Sequence, residues 1–123
     1  MSIAARALQP QHRLLWRLTL VLLLCVVSWL AFKPALPSHE WAHMDKVKHI
    51  SAFVTLAFVA SLGWAPHNRL AQRVAAWLMA YGLFIEAVQT QLPTRSGSLA
   101  DWAADAVGVA LGLALVRLLP RPA

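Results

Sequence analysis

The chain has 123 residues, enough for one domain, and 59% of them are hydrophobic while only 13% are charged. Soluble domains average about 45–50% apolar and about 25% charged residues, so this composition indicates a membrane protein. The formal net charge is +6, but the basic residues lie between apolar runs, which suits anionic lipid headgroups. No basic recognition helix or zinc-finger spacing occurs, so we expect no nucleic-acid partner.

Four apolar segments follow one another along the chain, each near the length of about 20 residues that crosses a bilayer as a helix. They cover about residues 14–32, 46–64, 70–92 and 99–119, and a proline follows each one: Pro34, Pro66, Pro93 and Pro120. The first segment resembles a signal peptide, but it continues past Trp29 without a cleavage site, so we expect a retained helix. Cys25 lies in this segment and, as the only cysteine, can form no intramolecular disulfide.

We therefore predict an all-α fold in which residues 1–123 form a single membrane domain, a bundle of four transmembrane helices. The basic residues set its orientation. With the N-terminus cytoplasmic, seven of the 11 basic residues lie inside: Arg6, Arg13, Arg17, Arg69, Arg73, Arg117 and Arg121. The C-terminus is then also cytoplasmic, and the protein is a multi-pass protein of the inner (cytoplasmic) membrane.

In this orientation every acidic residue lies toward the outer ends of the helices: Glu40, Asp45, Glu86, Asp101 and Asp105. The six tryptophans fall at both boundaries, as expected of aromatic belts at the headgroup level. Trp16, Trp64 and Trp77 lie near the inner boundary, and Trp29, Trp41 and Trp102 near the outer one.

The second predicted helix begins with three polar candidates. Asp45 and His49 are four residues apart and share one helical face, which Phe53 continues. Asp45 could also have a purely structural role, because a carboxylate is favoured at the positive end of the helix dipole. His49 titrates near neutral pH and can relay protons or bind a metal, so we favour a functional role. Lys46 is a candidate cation for a phosphate.

The third predicted helix and the loop after it carry the next candidates. Glu86 and Gln89 are three residues apart, and a carboxylate this far along an apolar helix should face the bundle interior. Glu86 is either a structural partner of Lys46 or Arg95, or an acid that binds or reacts with a ligand, which we favour. Arg95 offers a rigid fork suited to phosphate, whether of a lipid headgroup or of a specific substrate.

The fourth predicted helix carries Asp101, Asp105, Gly108 and Gly112, whose spacing places them on one stripe. Ser98 and Asp101 fit a capping box, but Asp105 lies one turn deeper, where capping does not explain it. The two glycines are four residues apart and let another helix approach closely. The stripe therefore predicts a packing face toward its inner end and a polar site at its outer end.

Taken in order, these residues resemble the VanZ-like family over about residues 45–112. The pattern comprises Asp-Lys-x-x-His, a Phe, Glu and Gln three apart, Pro-x-Arg with a Ser and an Asp, and final glycines. Here these are Asp45, Lys46, His49, Phe53, Glu86, Gln89, Pro93, Arg95, Ser98, Asp101, Gly108 and Gly112. The resemblance implies an integral membrane protein with a cell-envelope role. It implies no particular reaction, although the family is named for a teicoplanin-resistance protein. The family usually has Asn where this chain has Asp105.

Three functions stay open from the sequence. The first is a membrane enzyme acting on, or a protein binding, an envelope lipid or lipid-linked precursor. Its candidate catalytic residues are His49, Glu86 and Asp105, and its candidate substrate-binding residues are Asp45, Lys46, Gln89, Arg95 and Asp101. The second is a non-catalytic assembly or binding module whose polar residues form a structural network. A small proton-coupled carrier is third, disfavoured because the charges lie at only one end of the helices.

The partners and cofactors follow from the same residues. Membrane lipids are the expected partners, and a homo-oligomer is left open. Asp45, Glu86, Asp101 and Asp105 against Lys46 and Arg95 leave a formal charge of −2 with His49 neutral, which would allow a divalent cation to bridge carboxylates to a phosphate. No metal-binding signature is present, so the sequence assigns no metal ligands.

Overall fold

The computed structural model describes residues 2–35 and 43–120, and these ranges are almost entirely helical. A short helix α1 (Ile3–Ala7) and a 3₁₀ turn (Pro10–His12), neither of them predicted, come first. Four long helices follow: α2 (Arg13–Phe32), α3 (Met44–Leu62), α4 (Leu70–Gln89) and α5 (Leu99–Arg117). No strand occurs in the described ranges, so the predicted all-α class is confirmed. Three residues used in the predicted charge and tryptophan layout, Glu40, Trp41 and Arg121, lie outside these ranges.

The helix ends differ from the predicted ones mainly after α4. The segment was predicted to run through residue 92, but α4 ends at Gln89. The next residues form tight turns in which the N–H of Gln91 reaches the carbonyl of Val88 and that of Leu92 reaches Gln89. Pro93 opposes continuation of the helix, because it has no N–H to bond the carbonyl of Gln89, four residues earlier, and disfavours helical backbone at Leu92.

Helices α3 and α5 pack backbone against backbone through two glycines. A Cβ atom at Gly108 would lie 2.6 Å from the carbonyl oxygen of Ile50, and one at Gly112 would lie 2.6 Å from that of Val54. Both contacts advance by four residues in the same direction, so α3 and α5 run parallel. Glycine at both positions lets the two helix backbones approach this closely.

Helix α4 runs antiparallel to α5 and is tied to it and to α2 by polar side chains. The indole Nε1 of Trp102 donates to the carbonyl of Met79 at 3.0 Å. On the other side, the hydroxyl of Tyr81 donates to the carbonyl of Leu24 at 3.1 Å and lies 2.6 Å from the Ser28 hydroxyl. These bonds fix the register of α4 against both neighbours.

The beginning of α2 is held to the end of α3. The Nε of Arg17 donates to the carbonyl of Gly63 at 2.7 Å, and its guanidinium lies 5.0 Å from the centre of the Trp64 ring. A cation over an indole face adds about 0.5–1 kcal/mol at an exposed site. This contact defines the end of the bundle opposite to the polar residues described below.

The apolar core is small and the apolar surface is large. The core consists of Phe53, Leu56, Ala57, Ala60, Val74, Leu78, Ile85 and Val109. Helix α2 has no buried residue, and Leu22 and Trp29 are 63% and 64% exposed. Extended exposed apolar surface marks an interaction or membrane surface. Two helical stretches, Pro10–Phe32 and Leu99–Arg117, are long and apolar enough to cross a bilayer, which points to a membrane protein.

We expect Gly108→Val to lower the free energy of unfolding by about 1–3 kcal/mol, because the added methyl groups overfill the contact with the Ile50 backbone. Ala110→Val, on the exposed face of α5, is the matched control and loses at most about 0.7 kcal/mol of helix propensity. Both are measured by denaturant unfolding in detergent, followed by tryptophan fluorescence. Equal stabilities of the two variants would contradict the close packing of α3 and α5.

Candidate functional site

The polar residues singled out from the sequence come together at one end of the bundle, where α3 and α5 begin and α2 and α4 end. We call this set the polar cluster: Asp45, Lys46, His49, Glu86, Gln89, Arg95, Ser98, Asp101 and Asp105. Asp45 and Asp101 lie in the first turns of α3 and α5. Two parallel helix N-termini bring partial positive charge to this end, which favours carboxylates there.

A histidine–aspartate pair links α3 to α5 inside the cluster. The Nδ1 of His49 donates to Oδ1 of Asp105 at 2.6 Å. Asp105 is fully buried, whereas the His49 side chain is 15% exposed. The carboxylate therefore fixes the orientation of the ring, and Nε2 is left on the other side, 3.8 Å from Oδ2 of Asp101. The position that the VanZ-like pattern usually fills with Asn thus holds the buried partner of His49.

An ion pair between Lys46 and Asp101 makes the second link between α3 and α5. Asp101 is buried, and Lys46 is about one-third exposed and also lies 3.4 Å from Oδ2 of Asp45. The backbone N–H of Asp101 donates to the Ser98 hydroxyl at 3.1 Å, so Ser98 caps α5. The Asp101 carboxylate does not complete the predicted capping box, because it is directed to Lys46 instead.

Glu86 takes the bond that the capping box would have assigned to Asp101. Its Oε2 accepts from the backbone N–H of Ser98 at 2.6 Å. The structural alternative for Glu86, a pairing with Lys46 or Arg95, is replaced by this bond to the N-terminus of α5. Gly97 permits the approach, since a Cβ atom there would lie 2.6 Å from the Glu86 carbonyl oxygen.

Arg95 and Gln89 bind the C-terminal end of α2. Arg95 donates from Nε to the carbonyl of Lys33 at 3.1 Å and from Nη2 to that of Leu30 at 2.9 Å. Gln89 donates from Nε2 to the carbonyl of Ala31 at 3.0 Å. These donors satisfy carbonyls that a helix end leaves without partners. Within residues 2–35 and 43–120, the bonds from Arg95 use two of the five N–H groups of the guanidinium.

Three buried oxygens of the cluster accept no hydrogen bond from any described residue. They are Oε1 of Glu86, Oε1 of Gln89 and Oδ2 of Asp105. A buried acceptor left without a donor costs about 1–3 kcal/mol, so such atoms mark places where something else supplies the missing positive charge or proton.

A cavity of about 270 Å³ opens beside the His49 ring at this end of the bundle. This volume lies near the lower end of small-molecule sites, which begin at about 300 Å³. It suits a headgroup-sized ligand and is too small for a whole lipid. Its lining residues are Ala35, Asp45, Lys46, His49, Gln89, Thr94, Arg95, Ser96, Ser98 and Asp101.

Two polar residues that position the site, Trp102 and Tyr81, are not among the predicted site residues. Trp102 was assigned to a membrane interface, but its indole bonds Met79 and holds the first turns of α5 against α4. Tyr81 precedes Gly82, and its hydroxyl ties α4 to α2. The available signal was the presence of the only tyrosine of the chain inside an apolar segment.

The helical bundle, its broad exposed apolar surfaces and its two helices long and apolar enough to cross a bilayer point to a small membrane protein. The family model described as VanZ/LLP1 matches residues 14–120, most of the chain. The protein therefore belongs to the VanZ/LLP1 family, which confirms the resemblance drawn from its motifs. No significant match to a curated protein or to a solved structure was found.

A double-mutant cycle should detect the pair between Lys46 and Asp101. We expect Lys46→Met alone to destabilise the protein, because it leaves the buried Asp101 carboxylate without its cation. Adding Asp101→Asn should recover part of the loss, with a coupling free energy of about 0.5–3 kcal/mol measured by unfolding in detergent. Purely additive effects would contradict the ion pair.

Proposed function

We propose that this VanZ/LLP1 protein is a four-span membrane protein whose polar cluster faces the outside and binds the phosphate-bearing headgroup of an envelope lipid or lipid-linked precursor. The observation that carries the proposal is the headgroup-sized cavity in which two cationic side chains, Lys46 and Arg95, lie beside the ring of His49. The carboxylates of Asp45 and Asp101 also line this cavity, and Asp101 is paired with Lys46. The guanidinium of Arg95 and the exposed part of Lys46 are therefore the groups that an anionic head would contact, and the apolar bundle suits its tail.

The lengths of the helices support four crossings. Helices α2 to α5 have 20, 19, 20 and 19 residues. At 1.5 Å per residue each spans about 30 Å, the thickness of the hydrocarbon core. Their charge distribution supports an outward polar end, because Arg13, Arg17, Arg69, Arg73 and Arg117 lie at the opposite end, which the positive-inside rule places in the cytoplasm.

The chemistry of the site centres on His49. His49 lines the cavity, and because its Nδ1–H donates a hydrogen bond to Asp105, Nε2 of the neutral ring is an acceptor. In this tautomer His49 is placed to take a proton from a hydroxyl or water beside the bound phosphate, the part a general base plays. Lys46 and Arg95 would hold the phosphate oxygens while this proton moves.

A second function is favoured by a specific observation. Arg95 and Gln89 donate hydrogen bonds to backbone carbonyls of α2, and Glu86 accepts one from the backbone N–H of Ser98. These bonds tie loop and helix ends together, as in a non-catalytic assembly module. We rank this function second because His49, Lys46 and Asp101 line the cavity and make none of these backbone bonds.

Cysteine labelling should test the topology. In a Cys25→Ser background we expect Ser96→Cys, at the polar end, to react with a membrane-impermeant maleimide in intact expressing bacteria. Asn68→Cys, an equally exposed residue in the loop between α3 and α4, should react only after the membrane is permeabilised. The reverse pattern, or labelling of both residues in intact cells, would contradict the proposed orientation.

Native mass spectrometry of the detergent-purified protein should test the ligand. We expect wild type to retain a phosphate-bearing lipid, and Lys46→Gln to lose most of it because one phosphate cation is removed. Arg73→Gln is the matched control, since it removes one positive charge at the opposite end and should keep the ligand.

All three proteins are first compared by thermal unfolding, so that a loss of ligand is not mistaken for a loss of fold. Equal lipid retention by folded Lys46→Gln and Arg73→Gln would count against the headgroup site. Absence of any specific lipid from all three would favour the assembly module.

A further inference from the structure

We propose that His49, Glu86 and Asp105 form a binding site for a divalent transition-metal ion. One ligand atom from each of these residues lies within 4.8 Å of the other two. The site is deeper than the cavity, since Glu86 and Asp105 are not among the residues that line it. The proposal concerns the metal alone and does not depend on a lipid ligand.

The unpartnered oxygens provide a second, independent indication. Asp105 is fully buried and Glu86 is 6% exposed, yet Oδ2 of Asp105 and Oε1 of Glu86 accept no hydrogen bond from any described residue. The opposite oxygens of the two carboxylates are already bonded, to His49 and to Ser98. Ionised carboxylate oxygens cannot donate to one another, so a cation would supply what both of them lack.

Gly82 lets the carboxylate of Asp105 lie against the part of α4 that carries Glu86. A Cβ atom at Gly82 would lie 2.7 Å from Oδ2 of Asp105, so this oxygen lies directly against α4. Gly82 precedes Glu86 by four residues, one helical turn. Gln89 follows within the next turn and offers a third unpartnered oxygen, from its amide.

The charges at this depth are not balanced by the described cations. Lys46 is paired with Asp101, and Arg95 donates to carbonyls of α2. With His49 neutral, Glu86 and Asp105 together carry a formal charge of −2, which one divalent ion neutralises. Asp105 supplies half of this charge, at the position where the VanZ-like pattern usually has an amide.

The donor set selects the metal. One imidazole nitrogen with two carboxylates and a nearby amide oxygen is a mixed nitrogen and oxygen site, which suits Mn²⁺ or Zn²⁺. An imidazole binds a metal in its neutral form. The ion would take the place of the proton on Nδ1, and the neutral ring would then carry its one proton on Nε2, so that the metal-bound ring is a donor at Nε2 and the metal-free ring an acceptor.

The test uses the full chain, purified in detergent without a polyhistidine tag, stripped with a chelator and offered Mn²⁺ or Zn²⁺ alone. We expect wild type to retain about one ion per chain, measured by elemental analysis and native mass spectrometry, and to melt at a higher temperature with the metal. Glu86→Gln and Asp105→Asn should each weaken binding at least about 10–100-fold, the loss that even an outer-shell change causes.

The matched control is Asp45→Asn, which removes a carboxylate from a second, outer group of candidate ligands formed with His49 and Asp101. It should keep the ion. Nitrogen coupling from a single ring in the Mn²⁺ resonance spectrum of wild type would show one histidine among the ligands, and its loss from folded His49→Gln would assign that ligand to His49.

Two results would overturn the proposal. One is wild type that binds neither metal while remaining folded, in which case protons or water satisfy the three oxygens. The other is loss of the ion from Asp45→Asn with full retention by Glu86→Gln and Asp105→Asn, which would move the site outward.

Discussion

The close parallel packing of α3 and α5 is the constraint on which the rest of the structure depends. Gly108 and Gly112 bring the two backbones so near that a single methyl group would meet a carbonyl oxygen. The same register places His49 against Asp105 and Lys46 against Asp101, one and two turns above the glycines. A bulkier interface would separate these pairs, because side chains across two helices meet only when the helix axes are close.

The arrangement of helix ends explains which polar residues lie where. The beginnings of α3 and α5 carry partial positive charge. Asp45 and Asp101 lie in the first turns of these helices, and Glu86 accepts from the backbone N–H of Ser98 at the start of α5. The end of α2 presents unpaired carbonyls, and the donors of Arg95 and Gln89 bond to them. One end of the bundle thus collects both signs of charge for local reasons, before any ligand is considered.

The division of the polar cluster between structure and ligand follows from these contacts. Arg95, Gln89 and Glu86 each make at least one bond to backbone, so their removal disturbs helix ends. His49 and Lys46 instead pair with side chains of α5 and face a cavity. Buried charge is expensive in an apolar bundle, and the oxygens left without donors lie on Glu86, Gln89 and Asp105. The chemistry we propose is therefore concentrated around His49.

The sequence by itself determined the all-α class, the approximate helix limits, the Ser98 cap and the glycine stripe, because periodicity, proline and capping act over a few residues. The ordered motif also indicated the family. Only the tertiary structure decided that α3 and α5 are in close backbone contact, that Glu86 bonds the backbone of Ser98, and that Arg95 bonds the end of α2. Those partners lie 12 to 65 residues apart, and local spacing identifies a packing face but not the residue that meets it.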